Sequence, residues 1–129
     1  MTAFDIRLLP STQLGDEGER LGQITIGDFH ERFACYPVND SIESMPAQWK
    51  LELLKLLGGT AAIALVHDPR FAWVLYRVEE ECFIQQHFFA DGAFSKLTVR
   101  QTITDEGQRI SEWQVPLSSI RAFAERLDS

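Results

Sequence analysis

A histidine beside a carboxylate, His67-Asp68 followed by Pro69, is the most site-like group in the chain. A histidine held by a carboxylate can accept and return a proton near neutral pH, which is general acid–base chemistry. The same three residues are also ordinary turn chemistry, because an aspartate side chain caps a turn and proline fixes its backbone. We favour the turn, and a small enzyme with its site near His67 and Asp68 is kept as an alternative.

The other side chains that could bind a metal or act as nucleophiles are scattered. They are His30, Cys35, Cys82 and His87, and none belongs to an HxH or CxxC pair. No HExxH, GxSxG, phosphate-loop or dinucleotide-binding glycine pattern occurs. With 19 Asp and Glu residues, some pair of carboxylates can always be found and indicates nothing. We therefore expect no enzyme, no cofactor and no metal, and two reduced thiols.

Two acidic groups lie in contexts typical of exposed turns. Glu79-Glu80-Glu81 separates two apolar runs, and Ser11–Glu19 carries Asp16, Glu17 and Glu19 among glycines. Runs of charge are usually solvated. An exposed negative group at the end of a hairpin also suits a cationic partner surface.

Length, composition and charge limit the function classes. The chain has 129 residues, 45% of them hydrophobic, which predicts one domain over residues 1–129. Its net charge of -7 argues against nucleic acid as a direct partner, because nucleic-acid binding needs a basic footprint. No apolar run approaches the ~20 residues of a membrane span, and Met1–Pro10 lacks the apolar core of a signal peptide. We expect a cytoplasmic protein with no membrane partner.

The centre of the chain, Thr60–Ala90, predicts three antiparallel strands. Its apolar runs are Ala61–Val66, Phe71–Val78 and Cys82–Ala90, and the links between them are too short for parallel crossovers. We expect this meander to form the middle of one sheet. The second run is apolar on both faces, so it needs cover on both sides or leaves aromatic side chains exposed. With two helices to cover it, we expect some exposure among Trp73, Tyr76, Phe88 and Phe89.

The segments before the meander predict two further extended regions and a helix. Ala3–Leu9 alternates as a half-buried strand. Leu21–Tyr36 is extended but broken at Gly27-Asp28, which fits either one bent strand or a hairpin. Met45–Leu57 is an amphipathic helix that Gly58-Gly59 ends. Its apolar side carries Met45, Trp49, Leu53 and Leu56, and we expect Trp49 to anchor the helix on a sheet.

The last third predicts a hairpin and a second helix. Leu97–Thr104 and Ile110–Val115 flank a Gly-containing turn, which favours pairing between them. Leu117–Leu127 has apolar residues at helical spacing, with Ser118 or Ser119 as a cap. The fold class is therefore α+β, a single domain with a largely antiparallel β-sheet of five to seven strands and two amphipathic helices.

Several stretches together carry a family resemblance. They are Ile26–Phe33, the Gln48-Trp49 pair with the leucines after it, Asp68–Ala72, and Asp105–Val115 running into Ile120–Phe123. From about Phe4 to Phe123 the chain resembles the CdiI-type immunity proteins of bacterial contact-dependent growth inhibition, which sit beside large secreted toxins.

The resemblance implies a protein that binds the C-terminal toxin domain of its cognate effector in the cytosol and blocks it without turnover. Toxins of this family are often nucleases, whose basic grooves would complement an acidic inhibitor. The motif residues Phe29, Trp49, Trp113 and Phe123 are expected to form the fold rather than the interface.

The expected toxin contacts are exposed groups that could vary between systems. A generic interaction module that uses a sheet edge is the remaining alternative. The candidate contacts are Glu79, Glu80, Glu81, Asp91, and Asp16, Glu17 and Glu19 of the acidic loop, with Tyr76 or Trp73 as an aromatic anchor.

Overall fold

A computed structural model describes residues 3–37, 41–90, 92, 94, 97, 99–104 and 106–127. Two antiparallel sheets and two α-helices make up the described chain, which confirms the α+β class. In chain order the elements are β1 (Phe4–Leu8), β2 (Arg20–Ile26), β3 (Phe29–Cys35), a single 3-10 turn (Ile42–Ser44), α1 (Met45–Leu57), β4 (Ala62–Asp68), β5 (Phe71–Val78), β6 (Glu81–Phe88), β7 (Trp113–Pro116) and α2 (Leu117–Arg126).

The expectation of a single sheet is wrong. Strands β1-β2-β3 form one sheet, here called the N-terminal sheet, and β4-β5-β6-β7 form a second, the central sheet. The open question over Leu21–Tyr36 is decided in favour of a hairpin, because β2 pairs with β3 around a turn at Gly27. Gly27 has φ +61, a left-handed conformation that glycine adopts without a steric penalty. Two short sheets bury apolar faces against each other where one sheet would leave a face open.

The meander is confirmed as β4, β5 and β6. Within the described residues, the predicted hairpin between Leu97–Thr104 and Ile110–Val115 forms beside its turn, where Ile103 and Arg109 make a bridge and the Ile110 amide donates to the Thr102 carbonyl at 2.9 Å. Strand β7 pairs with β6. Val115 becomes fully buried there, so the hydrophobic gain of joining the central sheet decides the pairing.

Helix α1 has the predicted bounds and the predicted buried stripe. Met45, Trp49, Leu53 and Leu56 are buried. Trp49 anchors the helix as expected, since its indole Nε1 donates to the Val66 carbonyl at 2.8 Å. The structural role predicted for the motif aromatics is also confirmed at Phe123, whose ring packs edge-on against Phe4.

The predicted serine cap of α2 is wrong. Pro116 occupies the N-cap position, and no side chain of the described residues caps the helix. The first helical amide, that of Leu117, donates to the Glu80 carbonyl at 2.8 Å, so the β5–β6 turn satisfies it. Ser119 is buried.

The two sheets are joined at His67, which lies in a β-bulge between Val66 and Asp68. Its carbonyl accepts the Tyr36 amide at 2.9 Å, and its ring Nδ1 lies 3.0 Å from the Ala34 carbonyl. A carbonyl can only accept, so Nδ1 carries the proton and the neutral ring is held in that tautomer. Burial lowers the pKa of His67.

Acidification should destabilise the fold in a defined window. Burial lowers the pKa of both His67 and His87, so below about pH 6.5 the unfolded chain binds protons that the folded chain does not. Their contribution is fully present above that pH and is lost as pH falls towards the folded pKa values. Urea unfolding between pH 7.5 and 5 should show the free energy of unfolding falling by up to about 1.4 kcal/mol per pH unit for each group.

The matched control is His67→Gln, which keeps a side-chain amide donor but cannot titrate. Its slope between pH 6.5 and 5 should be shallower than that of the wild type. A free energy of unfolding that stays constant or increases over this interval in the wild type would contradict the assignment of a neutral, buried His67.

Candidate protein-binding surface

The predicted acidic turn is a tight and exposed projection. Val78 pairs with Glu81, so Glu79 and Glu80 form a two-residue hairpin loop, and both are exposed. Glu79 has φ +58 and, within the described ranges, is the single non-glycine residue with positive φ. Glycine or asparagine is usual at such a position, because a Cβ there meets backbone atoms.

Arg77 fixes this turn to the end of α1. Its Nη1 donates to the carbonyls of Leu56 and Leu57 at 2.9 and 3.0 Å, and its Nε donates to the Glu79 carbonyl at 3.2 Å. Glu80 lies 3.9 Å from the guanidinium. Glu79 and Glu80 therefore project from a backbone that these hydrogen bonds fix in position.

The acidic loop, residues 11–19, lies at the opposite end of the central sheet. Leu14 bridges Arg20, Arg20 pairs with Cys35, and Tyr36 binds the His67 carbonyl beside the β4–β5 turn. The β5–β6 turn is a full eight-residue strand away, about 25 Å along the sheet. The two acidic groups therefore form no continuous patch. Asp91 lies outside the described residues.

Within the acidic loop, Asp16 and Glu17 are exposed. Glu19 is half-buried, and its carboxylate accepts the Glu17 amide at 3.0 Å. The loop is closed by the Gly15 amide, which donates to the Glu19 carbonyl at 2.9 Å. Its two free carboxylates are thus Asp16 and Glu17.

The expected aromatic anchors are wrong. Trp73 is 0% exposed and Tyr76 is 4% exposed, so neither can contact a partner. Sequence reasoning counted two helices as the available cover and missed the connection between β6 and β7. Arg100 of that connection lies 3.8 Å above the Phe83 ring, on the face of the sheet opposite the core. Tyr76 pairs with Phe83 and shares this covered face.

A buried polar network holds the connection in place. Gln85 is fully buried, and its Nε2 donates to the Gln101 carbonyl at 2.8 Å and to the Glu112 carboxylate at 2.7 Å. Arg100 binds both oxygens of Glu112. The Arg100 guanidinium lowers the pKa of Glu112, which therefore stays charged at neutral pH. The sequence signal for this covered face was the pair Gln85 and Gln86, two polar side chains within an otherwise apolar strand pattern.

The aromatic side chains that are exposed lie at strand ends. Phe71 is 39% and Phe88 is 56% exposed, and their rings lie 5.1 Å apart. The exposure expected among the meander aromatics is therefore confirmed at Phe88. Phe89 is half-buried and packs on Phe94 at 4.9 Å.

The turn interpretation of His67-Asp68 is confirmed. Asp68 Oδ1 accepts the Arg70 amide at 2.8 Å, as a capping aspartate does. His67 is 4% exposed, its ring packs on Phe33 at 4.4 Å, and its Nε2 is buried with no hydrogen-bond partner among the described residues. The described contacts of this imidazole are those of a structural residue.

Thiol and metal chemistry find no support in the part of the chain that is described. Cys35 and Cys82 are free, as predicted, and both are buried. Burial raises the pKa of each thiol to about 12, so both stay protonated. No group of three His, Cys, Asp or Glu residues in the described ranges could hold a metal ion. No described helix is long and apolar enough to cross a membrane.

One apolar groove of about 860 Å³ runs between α1 and the edge strand β4. Its floor consists of Ala62, Ala64 and Val66, and the exposed Leu51 and Leu54 form its α1 wall. Its rim charges Glu52 and Lys55 neutralise each other at 2.7 Å. The groove therefore has no charge preference for a partner.

Comparison with known proteins identifies the family. The model of the CdiI N-terminal domain matches residues 40–123, well over half of the chain. A chain of the CdiA-CT/CdiI toxin and immunity complex from Enterobacter cloacae is similar over 96% of this chain and 97% of its own length, with 25% identity and a TM-score of 0.75. No curated protein matches. Because its sequence matches the family model over this length and its whole fold follows a member of such a complex, the chain belongs to the CdiI family of immunity proteins.

Proposed function

We propose that this protein binds the C-terminal toxin domain of its cognate CdiA effector and neutralises it by stoichiometric binding. The observation that carries the proposal is the similarity, over 96% of the chain, to a chain from a toxin and immunity complex. A match of this extent includes both sheets and both helices, so it applies to the whole fold.

Inhibition without turnover fits the chemistry of the described residues. His67 is buried in aromatic packing and Asp68 caps a turn, so the strongest candidate for catalysis has a structural role. We therefore propose an inhibitor rather than an enzyme. The alternative of a generic interaction module differs from this proposal in its partner, because an immunity protein discriminates its own toxin from others.

We propose that the toxin is basic and that the acidic groups attract it. The chain carries a net charge of -7. Glu79 and Glu80 project from a fixed turn, and the half-buried Glu81 follows them at the start of β6, where Gln114 Nε2 donates to its carboxylate at 2.9 Å. Complementary charge raises the rate of encounter and fixes the orientation of the partners. That the toxin is a nuclease stays a prediction from the resemblance, as does the contact of Asp91.

The first prediction concerns binding itself. The purified chain should bind the CdiA C-terminal toxin domain encoded immediately upstream of it with one-to-one stoichiometry, measured by titration calorimetry. Expression of the chain should protect cells that produce the toxin. A non-cognate CdiA toxin domain is the control and should not bind. A cognate domain that neither binds nor is neutralised would refute the proposed function.

The second prediction concerns the acidic turn. Reversing Glu79, Glu80 and Glu81 to lysine should slow association with the toxin at least about tenfold at low salt and flatten its salt dependence, with little change in dissociation. Stopped-flow or surface-plasmon kinetics at several salt concentrations measure both rates. The matched control reverses the exposed Asp28, Glu106 and Glu125, which gives the same net charge. Equal effects in the two variants would show that net charge alone, and not the position of this turn, attracts the toxin.

The third prediction separates stability from binding at Glu79. Glu79→Gly should raise the free energy of unfolding by roughly 0.5–1 kcal/mol, because glycine adopts φ +58 without the steric cost of a Cβ. The same variant should associate more slowly with the toxin. Glu80→Gly is the control and should not stabilise the fold in urea titrations. Equal destabilisation by both glycines would show that Glu79 is unstrained.

A further inference from the structure

Two exposed aromatic side chains lie together at the end of the central sheet where β4 turns into β5, and a third exposed aromatic residue, Tyr36, is joined to this end through its backbone. Phe71 and Phe88 are register partners on neighbouring strands, with rings 5.1 Å apart. The backbone of Tyr36 is bound to the same end, because its amide donates to the His67 carbonyl at 2.9 Å. The His67 ring lies 6.3 Å from that of Phe71. We call Tyr36, Phe71 and Phe88 the aromatic end.

The aromatic end is a part of the core face that nothing in the described chain covers. Residues alternate between the faces of a strand, so Phe71 shares a face with Trp73, which is fully buried. The N-terminal sheet covers that face as far as Phe33, whose ring packs against His67 at 4.4 Å. Beyond Phe33 and His67, no described residue of the N-terminal sheet covers this face, so Phe71 and Phe88 remain partly exposed.

Packing makes this surface rigid. Ring contacts continue from Phe88 through Phe71, His67 and Phe33 to Trp73 in the core. The backbone beside it is fixed as well, since the Phe89 amide donates to the Arg70 carbonyl at 2.6 Å. Aromatic side chains that are already ordered lose little conformational entropy on binding, which is why they serve as anchors.

The charge around the aromatic end is negative. The acidic loop lies at this end through the Arg20–Cys35 pair, and Asp68 lies beside Cys35, whose thiol pKa it helps to raise. Arg20 is already bound to Glu43 at 3.0 Å. The acidic loop, the Arg20–Glu43 pair and the β4–β5 turn together carry five carboxylates and two guanidiniums, namely Asp16, Glu17, Glu19, Glu43 and Asp68 against Arg20 and Arg70.

We infer that the cognate toxin anchors on the aromatic end, with a basic surface that carries an apolar recess for Phe71 and Phe88. The inference rests on the proposed function and assigns the contact to one end of the domain. Charge complementarity selects a basic partner, and the paired rings supply the desolvated centre of the interface. The apolar groove beside α1 lacks this charge and is not the anchor.

The aromatic end and the acidic turn have different roles in this arrangement. They lie at opposite ends of the central sheet, so the Glu79–Glu81 turn acts on the approaching toxin at a distance, through its field. Remote charges change the association rate, whereas a packed aromatic anchor changes the dissociation rate.

The test is a kinetic comparison with the upstream-encoded CdiA toxin domain. Phe88→Ala and Phe71→Ala should each raise the dissociation rate at least about 30-fold, with association changed less than threefold. Leu51→Ala and Val99→Ala remove exposed apolar side chains elsewhere and should leave both rates unchanged. Thermal unfolding of each variant checks the fold, and Phe88→Leu, which keeps an apolar side chain, should recover part of the loss.

The outcomes separate the two proposals. If wild-type protein does not bind the toxin domain, the proposed function fails. If the wild type binds and both alanine variants, folded as the wild type is, dissociate at the wild-type rate, the aromatic end is not the anchor. A loss confined to Leu51→Ala would place the anchor in the groove and overturn the inference. The inference would also be overturned if Phe71→Ala and Phe88→Ala lowered the free energy of unfolding by more than they lowered the free energy of binding. These rings would then serve the fold.

Discussion

Strand β5 imposes the constraint on which the rest of the fold depends, because it is apolar on both faces. Ala72–Tyr76 is buried throughout, so each face needs its own cover. The N-terminal sheet and α1 cover one face and bury Trp73 and Leu75. The connection between β6 and β7 covers the other through Arg100. A small domain with two amphipathic helices could not cover both faces by helix packing alone.

The connection between β6 and β7 contacts the central sheet through polar side chains. Buried Gln85 donates to the connection at the Gln101 carbonyl and the Glu112 carboxylate, and Arg100, which is bound to Glu112, is stacked above Phe83. Removing one partner of such a buried network leaves a charge or amide unpaired, which costs more than an apolar contact would. The network therefore makes the position of the connection specific, and the connection covers the face of the sheet that carries Tyr76.

Two features of the central sheet remain exposed, one at each end. The N-terminal sheet ends at the His67 junction, so the core face beyond it exposes Phe71 and Phe88. At the far end of the central sheet, the β5–β6 turn keeps Glu79 in a left-handed conformation, where the fold alone would favour glycine. In this member of the CdiI family, both features are the ones that we propose for recognition of the toxin.

The sequence by itself determined the local elements, because they depend on periodicity and turn chemistry. The bounds of α1, the three central strands, the Asp68 turn and the anchoring role of Trp49 all follow from nearest-neighbour patterns. Only the tertiary structure decided which strand β7 joins, how seven strands divide into two sheets and which aromatics are exposed. Trp73 and Phe71 are alike in sequence, and they differ because packing partners distant in the chain cover one and stop short of the other.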